Sequence, residues 1–268
     1  MKRKTEKAYF DELWEQMTHH IKAFMDNGDQ EELHKFRVQV KKLRAMLTLL
    51  DSTRRKDDLS GDFKPVKKIF KQGGVIRNAY INIQLGNRYQ LKNEEFVLEQ
   101  LNEVEKRTIE FKQKEKKYLK TTHSVYNKLK NDLKAVNNED ITGFYKTQLE
   151  QIANAFANLQ FDDQLHASRK QIKTLIYNRK IAHKALQADD FQLDYDYLDK
   201  LQDNIGRWHD NILAIELFSD PAINAKTVVA KIKGQNTRLK RSISSLGLDF
   251  WKKAVLVEKD FTEGIKIR

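Results

Sequence analysis

Residues 34–44 read His34-Lys-Phe-Arg37-Val-Gln-Val-Lys41-Lys42-Leu-Arg44. On a helix at about 100° per residue, Arg37, Lys41 and Arg44 fall within about 80° of His34. Leu33, Phe36, Val40, Leu43, Leu47 and Leu50 gather on another arc. The segment is therefore an amphipathic helix with a cationic stripe, not a scatter of lysines. Lys42 stands off the stripe, toward its far flank. The signature His-x2-Arg-x3-Lys returns 132 residues later as His166, Arg169 and Lys173. A second pair keeps that offset: Gly74-x3-Asn78 and Gly206-x3-Asp210. Matches held in one register point to a duplicated unit.

The second stripe carries Leu165, Ile172 and Leu175 on its apolar side. Ile176 stands where the first copy has Arg44, and Lys180, one turn on, is expected to supply the missing cation. Like charges at i,i+4 repel by a few tenths of a kcal/mol per pair. Neither stripe holds an acid, so a bound anion would relieve that repulsion. The alternative is a solvated face paired with acids of a neighbouring helix. No Asp, Glu or second His stands at i+3 or i+4 on a stripe, so the motif histidines are not expected to bind metal. His19 and His20 are adjacent and expected to face apart; His123 and His183 have no context. Gly74 and Gly206 interrupt helical pattern at about 1 kcal/mol each relative to alanine, which close helix approach would explain. Asp210 is expected to accept a hydrogen bond from a motif-helix cation and orient it; Asn78 keeps that shape without the charge.

Working outward, the 268-residue chain is 40% apolar and 33% charged, with ten glycines and two prolines. That composition favours helix throughout and predicts an all-α fold. The net charge of +12 is uneven: residues 1–134 hold 30 basic and 20 acidic side chains, residues 135–268 hold 20 and 18. A basic, lopsided field suits a polyanionic partner. The absence of cysteine excludes disulfides, thiolate zinc sites and cysteine nucleophiles. Basic Met1-Lys2-Arg3-Lys4 leads into an amphipathic charged segment, so neither a leader peptide nor a membrane span is expected, and the default is a soluble cytoplasmic protein.

Breaks at Asn27-Gly28-Asp29, Ser60-Gly61-Asp62, Asn93 and Asn137-Asn138-Glu139-Asp140 predict helices over about 5–26, 29–51, 62–88 and 93–136, the last interrupted once. Asp29 and Glu32 have capping-box spacing. The pattern restarts with helices near 141–160, 163–187 and 195–219. A fourth is expected to open with Asp220 as N-cap and Pro221 at its first position. Residues 191–195 alternate like a strand but are expected to be a loop. Each half, 1–136 and 137–268, thus reads as about four helices.

These motifs give the chain a specific resemblance. His34 to Arg44, Gly74-Val-Ile-Arg77-Asn78, His166 to Lys173 and Gly206-Arg-Trp-His209-Asp210 are similar to the CHAD family, the conserved-histidine α-helical domains, over roughly residues 5–250. The resemblance implies one CHAD-like domain over 1–268, made of two four-helix bundles related by a pseudo-twofold. It implies motif helices lining a shared basic surface or channel, and binding of inorganic polyphosphate without catalysis and without a cofactor. The family's basic positions fall on His34, Arg37, Lys41, Lys42, Arg44, Arg77, His166, Arg169, Lys173 and His209. Lys180 joins them by its helical spacing, and Arg37, Lys41, Arg44 and Arg169 are expected to touch phosphate directly. Ile176 and Asn78 depart from the family pattern, so the first half is expected to dominate. Granule association is a further implication of the family. Nucleic-acid binding is the alternative polyanion reading. A metal-dependent phosphohydrolase would need carboxylates, for which Asp199, Asp203 and Asp210 are the best group. A scaffold for an acidic protein is a third.

Overall fold

Capping side chains open six of the helices among the described residues in the computed structural model, which describes residues 3–53, 58–91, 93–223 and 225–257. Met1-Lys2 and the unassigned tail from Glu263 lie outside the described residues. Helix α1 (Arg3–Asn27) stops at Gly28, whose φ of 76° suits a residue without Cβ. Asp29 caps α2 (Gln30–Ser52) by accepting from the Glu31 amide. The expected capping box does not close. Glu32 turns its oxygens to His20 and Lys35, and the Asp29 amide donates to Asn27. The third predicted helix is α4 (Lys64–Arg88), with Pro65 in its first turn, and a single turn, α3 (Leu59–Asp62), precedes it.

Asn93 caps α5 (Glu94–Lys112), and the expected interruption falls at Gln113-Lys114 before α6 (Glu115–Asp132). Asn137 caps α7 (Asn138–Ala157) and Asp162 caps α8 (Asp163–Ala188). Asp194 caps α9 (Tyr195–Phe218); α10 (Lys226–Gly247) and α11 (Phe250–Ala254) follow. Four helices per half therefore fits the second half better than the first.

Two further sequence expectations fail. Pro221 does not open a helix: the Asp220 side chain accepts from the Ala222 amide, closing a turn, and α10 begins at Lys226. Residues 191–195 are more than a loop. Strand β1 (Gln192–Leu193) pairs antiparallel with β2 (Val255–Val257), and the Asp194 amide donates to Ala254. Phe191 and Leu193 are buried while Gln192 is exposed, so the alternation was a true strand signature. Its partner lies some sixty residues on, where no local pattern reveals it.

The fold is otherwise all-α. Helices α1 and α2, α4 and α5, α7 and α8, and α9 and α10 pack as pairs, and α2 meets α8 across the two halves. The halves share their interior: one continuous core includes Phe10, Phe36 and Leu43 from the first and Tyr145, Leu175 and Leu201 from the second. Where α2 meets α8, the buried Asn178 amide donates to the Ala45 carbonyl at 2.9 Å. A smaller cluster, Ala214, Phe218, Ala225 and Ile232, packs against Leu85 and Tyr89 at the end of α4. Among the described residues no helix is long and apolar enough to cross a membrane.

Candidate anion-binding site

The meeting of α2 and α8 opens into a cavity of about 430 Å³ lined by Lys41 and Arg44 from one helix and His166, Arg169, Lys170 and Lys173 from the other. Phe70, Ala45, Thr48, Thr174 and Tyr177 complete the wall, which holds no acid. None of the five lysines and arginines is in an ion pair among the described residues. The two stripes thus face each other across one space. Lys41 registers this most. Its ammonium is pushed down to about 8, first by desolvation and then by Arg37, Lys173, Arg169 and Arg44. The residue as a whole keeps an exposed surface, so solvent moderates the desolvation. The crowding of like charges is the part tied directly to geometry.

The motif arginines are held by α4 and α9. Arg37 Nη1 donates to the Phe70 carbonyl at 2.7 Å and its guanidinium lies 4.1 Å above the Phe70 ring. Arg169 Nε donates to the Gln202 carbonyl at 3.0 Å. These two bonds share the 132-residue offset of the motifs: Arg37 and Phe70 in one half, Arg169 and Gln202 in the other. Each carbonyl lies one helical turn before a motif glycine. A Cβ on Gly74 would stand 2.7 Å from Arg37 Nη1, and one on Gly206 2.6 Å from Arg169 Nη2. The glycines therefore admit an arginine head group, a more specific reason than the close backbone approach expected. Gly206→Ala should displace Arg169 from Gln202 and weaken anion binding. The displaced atoms end a flexible side chain, so the melting temperature should change little. Calorimetric titration beside a thermal melt separates the two effects.

Other predicted residues gather elsewhere. Arg37 and Arg77 form a cationic shoulder around His34 beside the cavity. The His34 imidazole is held below its usual range by desolvation and then by Arg77, Lys41 and Arg37, against Glu31. Arg37 is lowered to about 10 by desolvation and Arg77, and it does not line the cavity, so its expected direct contact gives way to an anchoring role. The buried Arg77 Nε has no hydrogen-bond partner, and its guanidinium lies 5.2 Å above Tyr80. His209 stacks on His166 with ring centres 3.9 Å apart, behind the cavity wall. His166 is lowered to about 4 by desolvation, then by His209, Lys170 and Arg169, with Asp163 opposing.

Lys42 is half-buried and outside the cavity. Lys180 is not the substitute cation: it pairs with Glu12 and lies 5.3 Å above Tyr9. Ile176 packs against the core instead. Lys170 was missed in the sequence, although it stands at i+4 from His166, on the stripe itself. With it, α8 gives the cavity more cations than α2, against the expectation that the first half dominates. Asp210 and Asn78 are exposed and make no side-chain hydrogen bond among the described residues, so neither orients a motif cation; backbone carbonyls hold Arg37 and Arg169.

Carboxylates do not assemble at the site. Asp199 and Asp203 both accept from the Gln202 amide, at 2.9 and 2.8 Å, while Asp210 lines a separate groove. The three-residue group that does converge among the described residues is His19, His20 and Glu32, with ligand atoms within 4.8 Å. The adjacent histidine rings meet at 5.2 Å, so they do not face apart as expected. Glu32 already gives one oxygen to His20 and the other to Lys35.

Comparison with known proteins matches the family model described as the CHAD domain over residues 8–219. No curated protein matches the chain. A crystal structure of the CHAD domain from the plant Ricinus communis superposes with a TM-score of 0.69 at 17% identity, covering 94% of this chain and 93% of that one.

Proposed function

Because the chain belongs to the CHAD domain family, we propose that it binds inorganic polyphosphate in the α2–α8 cavity without catalysing a reaction on it. The observation that carries this is the acid-free wall of Lys41, Arg44, Arg169, Lys170 and Lys173, cations from two helices with no ion-pair partner among the described residues. Polyphosphate has one charge type and no bases, so its recognition rests on charge-assisted hydrogen bonds and counterion release. Ammonium and guanidinium groups supply both, and an anion removes the repulsion that crowds Lys41. We read the recurring arginine–carbonyl bond as the imprint of an internal duplication, and the protein as soluble and cytoplasmic.

The test is direct titration with polyphosphate, with single-stranded and duplex nucleic acid competing at equal phosphate concentration. Polyphosphate should win, because the two phenyl-type rings that line the cavity are already covered by cations, Phe70 by Arg37 at 4.1 Å and Tyr177 by Lys173 at 5.2 Å, which leaves little to stack or read bases. Preference for nucleic acid would overturn the reading. Phosphate release with Mg²⁺ or Mn²⁺ checks the absence of catalysis: a turnover abolished by Asp210→Asn would count against it.

Affinity should depend on pH on both sides of neutrality. Free Lys41 loses its proton through about 8, and a bound anion holds it on. Affinity should therefore fall as pH rises above about 8, by at most tenfold per unit for one group. Lys41→Arg should flatten that limb. Free His166 takes up a proton only near 4. If phosphate lifts that value, binding tightens as pH falls through the raised value and levels off below 4. His166→Gln should remove this acid limb while leaving the alkaline one.

A further inference from the structure

Arg88, Arg207, Lys231 and Arg238 line a second groove of about 620 Å³ between the end of α4, the middle of α9 and α10. Among the described residues none of the four is in an ion pair, and Asp210 is the single acid in the lining. Uncharged donors stand among them. The Tyr89 hydroxyl donates to Gln235 Oε1 at 3.0 Å, which leaves the Gln235 amide N–H groups without a partner among the described residues. Ser242 adds a hydroxyl. A groove with four uncompensated cations and neutral donors suits a phosphate-bearing anion by the same chemistry as the first cavity.

Helix α9 ties the groove to that cavity. Gly206 abuts the Arg169 guanidinium, and Arg207 follows it. His209 stacks on His166, and Asp210 follows it. At about 100° per residue, the groove occupies the flank of α9 next to the one that carries the cavity contacts. The Phe218 and Tyr89 cluster below holds the ends of α9 and α4 together, so the two cationic walls are fixed relative to each other.

We infer that this groove is a second subsite for the same polyanion, filled only by chains long enough to leave the α2–α8 cavity and pass onto the neighbouring flank of α9. The inference rests on the polyphosphate reading and adds a chain-length preference to it. A second point of attachment on one chain raises affinity through effective concentration, without new contacts at the first.

Arg207→Ala/Arg238→Ala and Asp210→Asn test this with two probes, tripolyphosphate and long-chain polyphosphate. The arginine variant should bind tripolyphosphate as the parent does and lose about tenfold or more in affinity for the long chain. Asp210→Asn removes the one opposing charge, so it should bind the long chain a few-fold more tightly, roughly as expected for one charge near a partly screened site. A gain of affinity has no explanation in damaged folding. Equal loss for both probes, or no change for the long chain in either variant, overturns the subsite. If the parent protein binds neither probe, the polyphosphate reading itself has failed, and the subsite falls with it.

Discussion

Replacing Lys41 and Lys173 together by alanine should lower polyphosphate affinity at least a hundredfold and leave the melting temperature unchanged or raised. Each ammonium can make charge-assisted hydrogen bonds worth about 1.5–3 kcal/mol, so losing two groups removes about 3–6 kcal/mol of binding. That corresponds to about two to four powers of ten in dissociation constant. The stability half of the expectation distinguishes this site from a structural one. Neither lysine is in an ion pair among the described residues, and Lys173 adds to the desolvation that lowers Lys41 to about 8. Deleting them removes repulsion from the free protein. A lost transition temperature together with lost affinity would mean that the lysines support packing, and unchanged affinity would refute the site.

Salt should have an effect of similar size. For a single-stranded polyanion the logarithm of affinity falls with the logarithm of salt by about 0.7 per neutralised phosphate. Five lysines and arginines line the cavity. Engaging one phosphate each gives a slope near −3.5, or roughly a hundredfold loss between about 50 and 200 mM salt. The double variant should reduce the slope by roughly 1.4 as well as the affinity. A shallow slope would show that hydrogen bonding to few phosphates, rather than neutralisation of many, dominates.

The sequence made much of this legible because helices print their faces at a fixed period. Lys41, Arg44, Arg169 and Lys173 share stripes in the chain and share a cavity in the fold. What it concealed has physical reasons. Whether Arg37 donates to a ligand or to Phe70 depends on a carbonyl thirty-three residues away. Lys180 carries the right spacing, but Glu12 on α1 captures it, and no pattern within α8 announces that partner. Asp210 sits beside a motif histidine in the chain, yet a step of one residue turns it onto another flank of α9. Lys170 could have been found by the same wheel and was passed over because it lies outside the repeated signature. The ribbon of β1 and β2 needed its far strand to be recognised.

The buried Asn178–Ala45 bond constrains what the ligand must do. Sliding α8 along α2 by even one residue would strand that amide in apolar surroundings, a penalty of about 1–3 kcal/mol before any side chain repacks. That penalty opposes any shuffle of the two helices, so it favours one distance between the opposing head groups before anything arrives. On the polyphosphate reading the protein serves as a fixed gauge, and the adapting is left to a supple, featureless thread.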